Sequence, residues 1–203
     1  SYGKALSFKE LEQKANVFNE ARNQKQNLTI NGGNGNTVEF WFKYPENPLS
    51  DQESPHFSYF DLWNSQTYDS VVPGSEYGRF LIETKIAHAT NQYQENCMFN
   101  ISYRSGSSGV DFAKLGLLDI ATPAEVTSKF GIDLTNWNHY AFSVENNPTG
   151  SDHLLIKLYI NGDLVETVHT GSQVAEVKAG PFNAALGAYR TGPTQAAISS
   201  GVA

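Results

Sequence analysis

Trp137-Asn138-His139-Tyr140-Ala141-Phe142-Ser143-Val144, then after a polar link Leu154-Leu155-Ile156-Lys157-Leu158-Tyr159-Ile160-Asn161-Gly162 and Asp163 to Val168, is the stretch that decides the fold class. Tyr140, Phe142 and Val144 share one side of an extended chain, as do Ile156, Leu158 and Ile160. This period-two pattern belongs to half-buried strands and not to a helix. Asn161-Gly162 joins the second and third runs with two residues that accept positive φ at little cost, the chemistry of a two-residue type I′ turn. Residues 137–168 therefore read as antiparallel strands with a tight hairpin.

Composition agrees. Over 203 residues, charged side chains are only 17% and aromatics 12%, with 17 glycines, the profile of a turn-rich β-protein. One domain spanning 1–203 is the expectation, as is usual for an all-β sandwich of this length. The chain opens on Ser1 rather than Met, so it reads as part of a longer polypeptide. A net charge of -7 argues against nucleic acid, whose phosphates require a basic face. No apolar run reaches the roughly 20 residues of a membrane span, so membrane insertion is not expected. The single cysteine, Cys97, excludes an internal disulfide and reads as a small buried hydrophobe.

Taken in order, Lys4 to Phe8 reads as an opening strand. Ser7 with Glu10 fits a capping box, and Leu11, Ala15 and Phe18 recur at helical spacing, so local pattern favours a helix over about residues 8–24. Gly32 to Asn36 is a turn-forming loop. Thr37-Val38-Glu39-Phe40-Trp41-Phe42-Lys43 is a strand with Val38, Phe40 and Phe42 facing the core; Trp41, on the other face, is expected to pack under a neighbouring strand or loop, as large aromatics usually do, the alternative being an exposed stacking platform. Further strands are Phe57 to Trp63, Gly78 to Lys85, Cys97 to Arg104, Val174 to Lys178 and Phe182 to Tyr189. Thr122-Pro123-Ala124-Glu125 opens a short helix that Gly131 is placed to end. Many strands and little helix predict an all-β, two-sheet antiparallel jelly-roll sandwich.

Leu6-Ser7-Phe8, Thr37 to Lys43, and Trp137 to Phe142 followed by Leu158-Tyr159-Ile160-Asn161-Gly162 together resemble the laminin-G-like branch of the concanavalin A-like lectin/glucanase superfamily, with Ala185-Leu186-Gly187 fitting the strand after the hairpin. The resemblance implies a jelly roll used for glycan binding, adhesion or spacing in secreted, cell-surface and phage tail proteins, hence an extracellular, cell-surface or virion setting. Two departures stand out. The family's closing Gly-x-Leu-Asp-Glu-Phe strand is not found before Ala203, and Glu20 to Asn36 is longer than the usual link.

Glycoside hydrolysis would need two carboxyls about 5 to 9 Å apart. Glucanases of this superfamily carry them in a Glu-x-Asp-x-x-Glu strand that is missing here, and Glu39, Asp61, Glu83 and Glu145 stand singly. A non-catalytic module is therefore expected. A sugar site needs an aromatic face with planar amides or carboxylates beside it. Trp63, Asn64, Gln66 and Tyr68 offer these within one loop, and Tyr77, Arg79, Tyr189 and Arg190 could join them at a sheet edge; in the competing reading, Trp63 and Tyr68 lid the core while the polar residues face water. Asp61, Asn64 and Asp69 supply the hard oxygens that calcium prefers, without a fixed spacing. The partners expected are a glycan or surface polymer, or neighbouring protein subunits of a larger assembly.

Overall fold

The computed structural model describes residues 15–17, 29–43, 56–64, 77–85, 97–119, 123–177 and 182–187. The elements are β1 (Ala15–Val17), β2 (Asn36–Phe42), β3 (His56–Trp63), β4 (Gly78–Lys85), β5 (Cys97–Ser105), β6 (Ser108–Leu117), α1 (Pro123–Phe130), β7 (Asn138–Asn146), β8 (Leu154–Ile160), β9 (Asp163–Thr170) and β10 (Asn183–Leu186). They form two antiparallel sheets, a six-stranded one in the order β1-β10-β3-β4-β5-β6 and a four-stranded one in the order β2-β7-β8-β9. The chain is a two-sheet β-sandwich.

The hairpin forms as its residues dictate. Tyr140 pairs with Ile160, Phe142 with Leu158 and Val144 with Ile156, and all six side chains are buried. Ile160 pairs directly with Asp163, leaving Asn161 at φ 53° and Gly162 at φ 94° as the two-residue turn. Positive φ at both positions is what a type I′ turn demands, and it matches the twist of the strands it joins. The Asn161 amide reinforces the turn, its Oδ1 accepting from the His139 N–H at 2.9 Å and its Nδ2 donating to Asn138 Oδ1 at 3.1 Å.

Between the sheets lies a core rich in rings. Phe40 of the four-stranded sheet stacks on Tyr59 of the six-stranded sheet at 5.5 Å, and Phe99 meets Tyr140 and Phe142 edge-on at 5.3 and 4.9 Å. Such offset and T-shaped pairs contribute about 0.5–1.5 kcal/mol each beyond their burial. Val38, Phe40 and Phe42 pack against this core, as their alternation in β2 requires. Along one flank, Ser172 and Glu166 bond the backbone of β6 at Gly109 and Gly116, tying the two sheets together.

Four expectations are corrected. Residues 15–17 are not helical; they form an edge strand paired with 184–186, so a tertiary ladder overrides the helical spacing of Leu11, Ala15 and Phe18. Opening-strand residues 4–8 lie outside the described residues. The run from Val174 is not a strand, because other partners satisfy its backbone: the Asn146 side chain bonds both the N–H and C=O of Val174, at 2.9 and 3.0 Å, and the Val177 N–H reaches the Ile30 carbonyl. A strand not anticipated, β6, follows β5. Trp41 stands 63% exposed rather than packed under a neighbouring strand or loop of the described residues. The helix forms as expected, with Gly131 at φ 67° and its N–H on the Thr127 carbonyl at 2.9 Å.

Candidate functional site

The loop site anticipated around Trp63 falls on the face of the six-stranded sheet turned away from the core, at the ends of β3 and β4. Its described members are Asp61, Trp63, Asn64, Tyr77 and Arg79, and all are buried. Trp63 therefore lies inside, while Asn64, which was to face water if the tryptophan were a lid, is fully enclosed. Gln66, Tyr68, Asp69, Tyr189 and Arg190 lie outside the described residues.

The structure brings the described members together into a bonded layer. Asp61 and Arg79 are 0% and 2% exposed, and their contact is side-on, with Nε to Oδ1 at 2.9 Å and Nη2 to Oδ2 at 2.7 Å. The Tyr77 hydroxyl accepts a hydrogen bond from the same guanidinium. Burial pulls the Arg79 pKa down, but the Asp61 charge and hydrogen bond, aided by Tyr77, prevail and raise it, so this arginine stays ionised. Burial raises the Tyr77 pKa against the opposing pull of Arg79, keeping the phenol neutral. Asn64 and Gly78 exchange bonds, the Asn64 Oδ1 accepting from the Gly78 N–H at 3.1 Å and the Asn64 N–H reaching the Gly78 carbonyl.

Both Asp61 oxygens thus already face a cation supplied by the protein, and the Asn64 oxygen is held by a backbone donor, an arrangement that does not suit calcium. Among the described residues no group of three or more His, Cys, Asp and Glu side chains is gathered to hold a metal ion. No helix among them is long and apolar enough to cross a membrane. Further along the same face, Ser58, Glu83 and Asn100 are buried in one row, Ser58 and Asn100 each pairing with Glu83 across the strands. Ser58 Oγ and Asn100 Nδ2 are buried polar atoms with no hydrogen-bond partner among the described residues.

The other outer face, on the four-stranded sheet, is open. Trp41 is 63% and Trp137 is 46% exposed. Both positions are fixed from below. Asn138 turns inward, its Nδ2 donating to the carbonyls of Asp133 and Asn136 at 2.8 and 3.0 Å, so its neighbours Trp137 and His139 must point outward by the alternation of a strand. Ahead of it, Asp133 closes a tight turn, Oδ1 accepting from the Thr135 N–H at 2.8 Å and hydroxyl at 2.7 Å. These hydrogen bonds hold the Asp133 carboxyl below its ordinary pKa.

Cross-strand register then assembles the surface. Trp41 pairs with His139, their rings 5.3 Å apart. Lys43 Nζ sits 5.6 Å over the Trp137 ring, a cation–π contact. Glu39, Ala141, Tyr159 and Leu164 form the next row across all four strands, and Thr37, Ser143, Lys157 and Thr167 the one after. Glu39 Oε2 lies 3.6 Å from His139 Nε2, and Lys157 Nζ lies 3.1 Å from Glu145 Oε1. Two open indoles, an imidazole and a phenol thus share one sheet face with hydrogen-bonding groups between them. The sequence carried a signal for this site, since Trp41, Trp137 and His139 all alternate with core residues, but not for its exposure. Compared with known proteins, the chain matches no family model and no curated protein.

Proposed function

We propose that this chain is a non-catalytic recognition module that binds a glycan or surface polymer on the outer face of its four-stranded sheet, in an extracellular, cell-surface or virion setting of the kind implied by its resemblance to laminin-G-like domains. The observation that carries the reading is the pair of open tryptophans, Trp41 within the paired strand β2 and Trp137 just ahead of β7. Covering one face of such a ring, on the order of 50–80 Å², contributes about 1–2 kcal/mol. A sugar presents the complementary surface, an apolar ring face edged by hydroxyls, to which Glu39, His139 and Tyr159 can bond. Asp61, the carboxylate nearest the loop first considered, is fully enclosed and held side-on by Arg79, which favours binding over hydrolysis.

A second reading, a contact surface between subunits of a larger assembly, is favoured by Leu164, Phe112 and Leu117, which are 53%, 45% and 47% exposed on β9 and β6. The two separate on a glycan array read with the Trp41→Ala variant. Recognition predicts array binding that weakens about tenfold or more, the equivalent of about 1.4 kcal/mol, with an unchanged unfolding midpoint. Equal binding by the variant and the parent overturns it.

A further inference from the structure

The geometry points to a single extended, uncharged, hydroxyl-rich chain as the ligand of this face, lying along β7; the inference rests on the recognition reading above. Side-chain size sets the path. Trp137 stands just ahead of β7, and outward along β7 run His139, Ala141, Ser143 and Glu145, with the two smallest side chains in the middle. On either side of Ala141 and Ser143, the paired positions are Glu39 and Thr37 of β2 and Tyr159 and Lys157 of β8. Ala141, only 9% exposed on an open face, is the floor of a trough between those walls.

The width limits what fits. β2 and β8 are separated by one strand, so their backbones run about 10 Å apart. An α-helix with its side chains is about 10–12 Å across and cannot settle between walls that themselves carry Tyr159 and Glu39. An extended peptide would find no partners for its backbone, because the face of a sheet, unlike its edge, has its N–H and C=O groups engaged in the ladder. A polysaccharide chain has no such requirement. It can rest its ring faces on Trp137 and Trp41 while its hydroxyls alternate between wall residues and water.

Charge settles the class. The groups facing the trough from β2, β7 and β8 are Lys43, Glu39, His139, Glu145 and Lys157. Lys157 is paired with Glu145, Glu39 lies against His139, and Lys43 lies over the Trp137 ring. Cations and anions are matched across the surface, leaving no excess of either sign to attract a sulfated, uronate or amino polymer.

The test is affinity electrophoresis and calorimetry of the full chain against two sets of linear polysaccharides. One set is neutral (β-glucan, xylan, galactomannan) and one anionic (alginate, polygalacturonate, a sulfated galactan), each at about 50 and 500 mM salt, between which the screening length falls severalfold. The variants are Trp41→Ala and Ala141→Arg; the second fills the trough from a solvent-facing position, and its unfolding midpoint is measured alongside. The expected result is binding to a neutral polymer that changes less than about twofold with salt, and that weakens about tenfold or more in both variants. Preferential binding of anionic polymers, lost at high salt and lost in Trp41→Ala, overturns this inference and leaves the recognition reading standing. Neutral binding undiminished in a folded Ala141→Arg variant overturns the trough. Absence of binding to both sets, or binding indifferent to Trp41→Ala, overturns both readings.

Discussion

Removing one partner of the buried Asp61–Arg79 pair will destabilise the protein far more than removing both. Each group is almost entirely enclosed, and the contact uses both carboxylate oxygens. In Asp61→Leu the guanidinium is left charged in an enclosed site, and in Arg79→Met the carboxylate is, so each change is expected to cost about 3–5 kcal/mol. For a chain of this length that lowers the melting temperature by about 6–20 °C. In the double variant, two apolar side chains of similar reach replace the pair and no uncompensated charge remains. Part of the residual cost comes from Tyr77, which loses the guanidinium that its hydroxyl accepts from; losing such a bond in a buried site costs about 1–3 kcal/mol. The double variant should therefore stand within about 3 kcal/mol of the parent, above either single one.

Urea unfolding followed by tryptophan fluorescence measures all four corners of the cycle, with a constant m-value checking that only stability has changed. Single variants that each cost less than about 1 kcal/mol, as at a solvated surface pair, would refute the reasoning. So would a double variant whose loss equals the sum of the singles. Either outcome would return Arg79 and Asp61 to the list of groups available to a ligand.

Three further expectations concern the scaffold. Tyr103 and Tyr77 both have pKa values raised by burial, against smaller opposing hydrogen bonds or charge, above the ordinary 10.0. Protons are then held more tightly in the folded state, so their contribution is fully present below pH 10.0 and is lost as pH rises above it; urea midpoints measured between about pH 8 and 11 should fall at the alkaline end, and a flat profile would contradict this. Gly162→Ala should cost about 1–2 kcal/mol purely through its positive φ, since nothing lies within 4 Å of an added methyl group; an unchanged thermal midpoint would show that the turn tolerates it. Asn146→Ala removes both bonds to the Val174 backbone and should cost about 2–3 kcal/mol in chemical denaturation, with a loss below about 0.5 kcal/mol counting against the role assigned to it.

The hairpin was legible because three signals coincide in residues 137–168: alternation, β-branched and aromatic content, and an Asn-Gly pair whose backbone preference fits only one kind of turn. β6 was not, because its alternation is broken. Phe112 and Gly116 adopt φ 57° and 66°, and the register shifts opposite Ile101 to Tyr103. Val110, Ala113 and Leu115, which pack inward, therefore do not fall on one period-two series. Val174 to Val177 carry apolar residues suited to a strand, yet one asparagine more than twenty residues earlier takes the backbone bonds that a ladder would have used. Residues 15–17 were misread for the opposite reason, a helical spacing overridden by a long-range partner.

The site shows where alternation stops informing. Trp41 and Trp63 both sit on strands with core residues at alternate positions, so both are assigned by parity to the outer face of their sheet. One is open and the other enclosed, because parity says which side of its own sheet a residue takes and nothing about what lies beyond that sheet. The two faces have been built differently as a result. On the six-stranded sheet, Ser58, Asp61, Trp63, Arg79, Leu81, Glu83, Asn100 and Ser102 are all buried, and enclosure at that depth makes charge pairing obligatory, since a single unmatched group would cost several kcal/mol. A ligand approaching there must separate Asp61 from Arg79 or compete with bonds already made. On the four-stranded sheet the Lys157–Glu145 pair lies in the presence of water, where a pair is worth only about 0–1 kcal/mol and yields readily. The indoles of this sheet, like Leu164 on the same face, make contacts with water that are unfavourable before any ligand arrives. Binding at that face would gain from covering Trp41 and Trp137 and give up little in exchange, which is why the open sheet, and not the richer set of polar residues on the closed one, is the surface proposed for recognition.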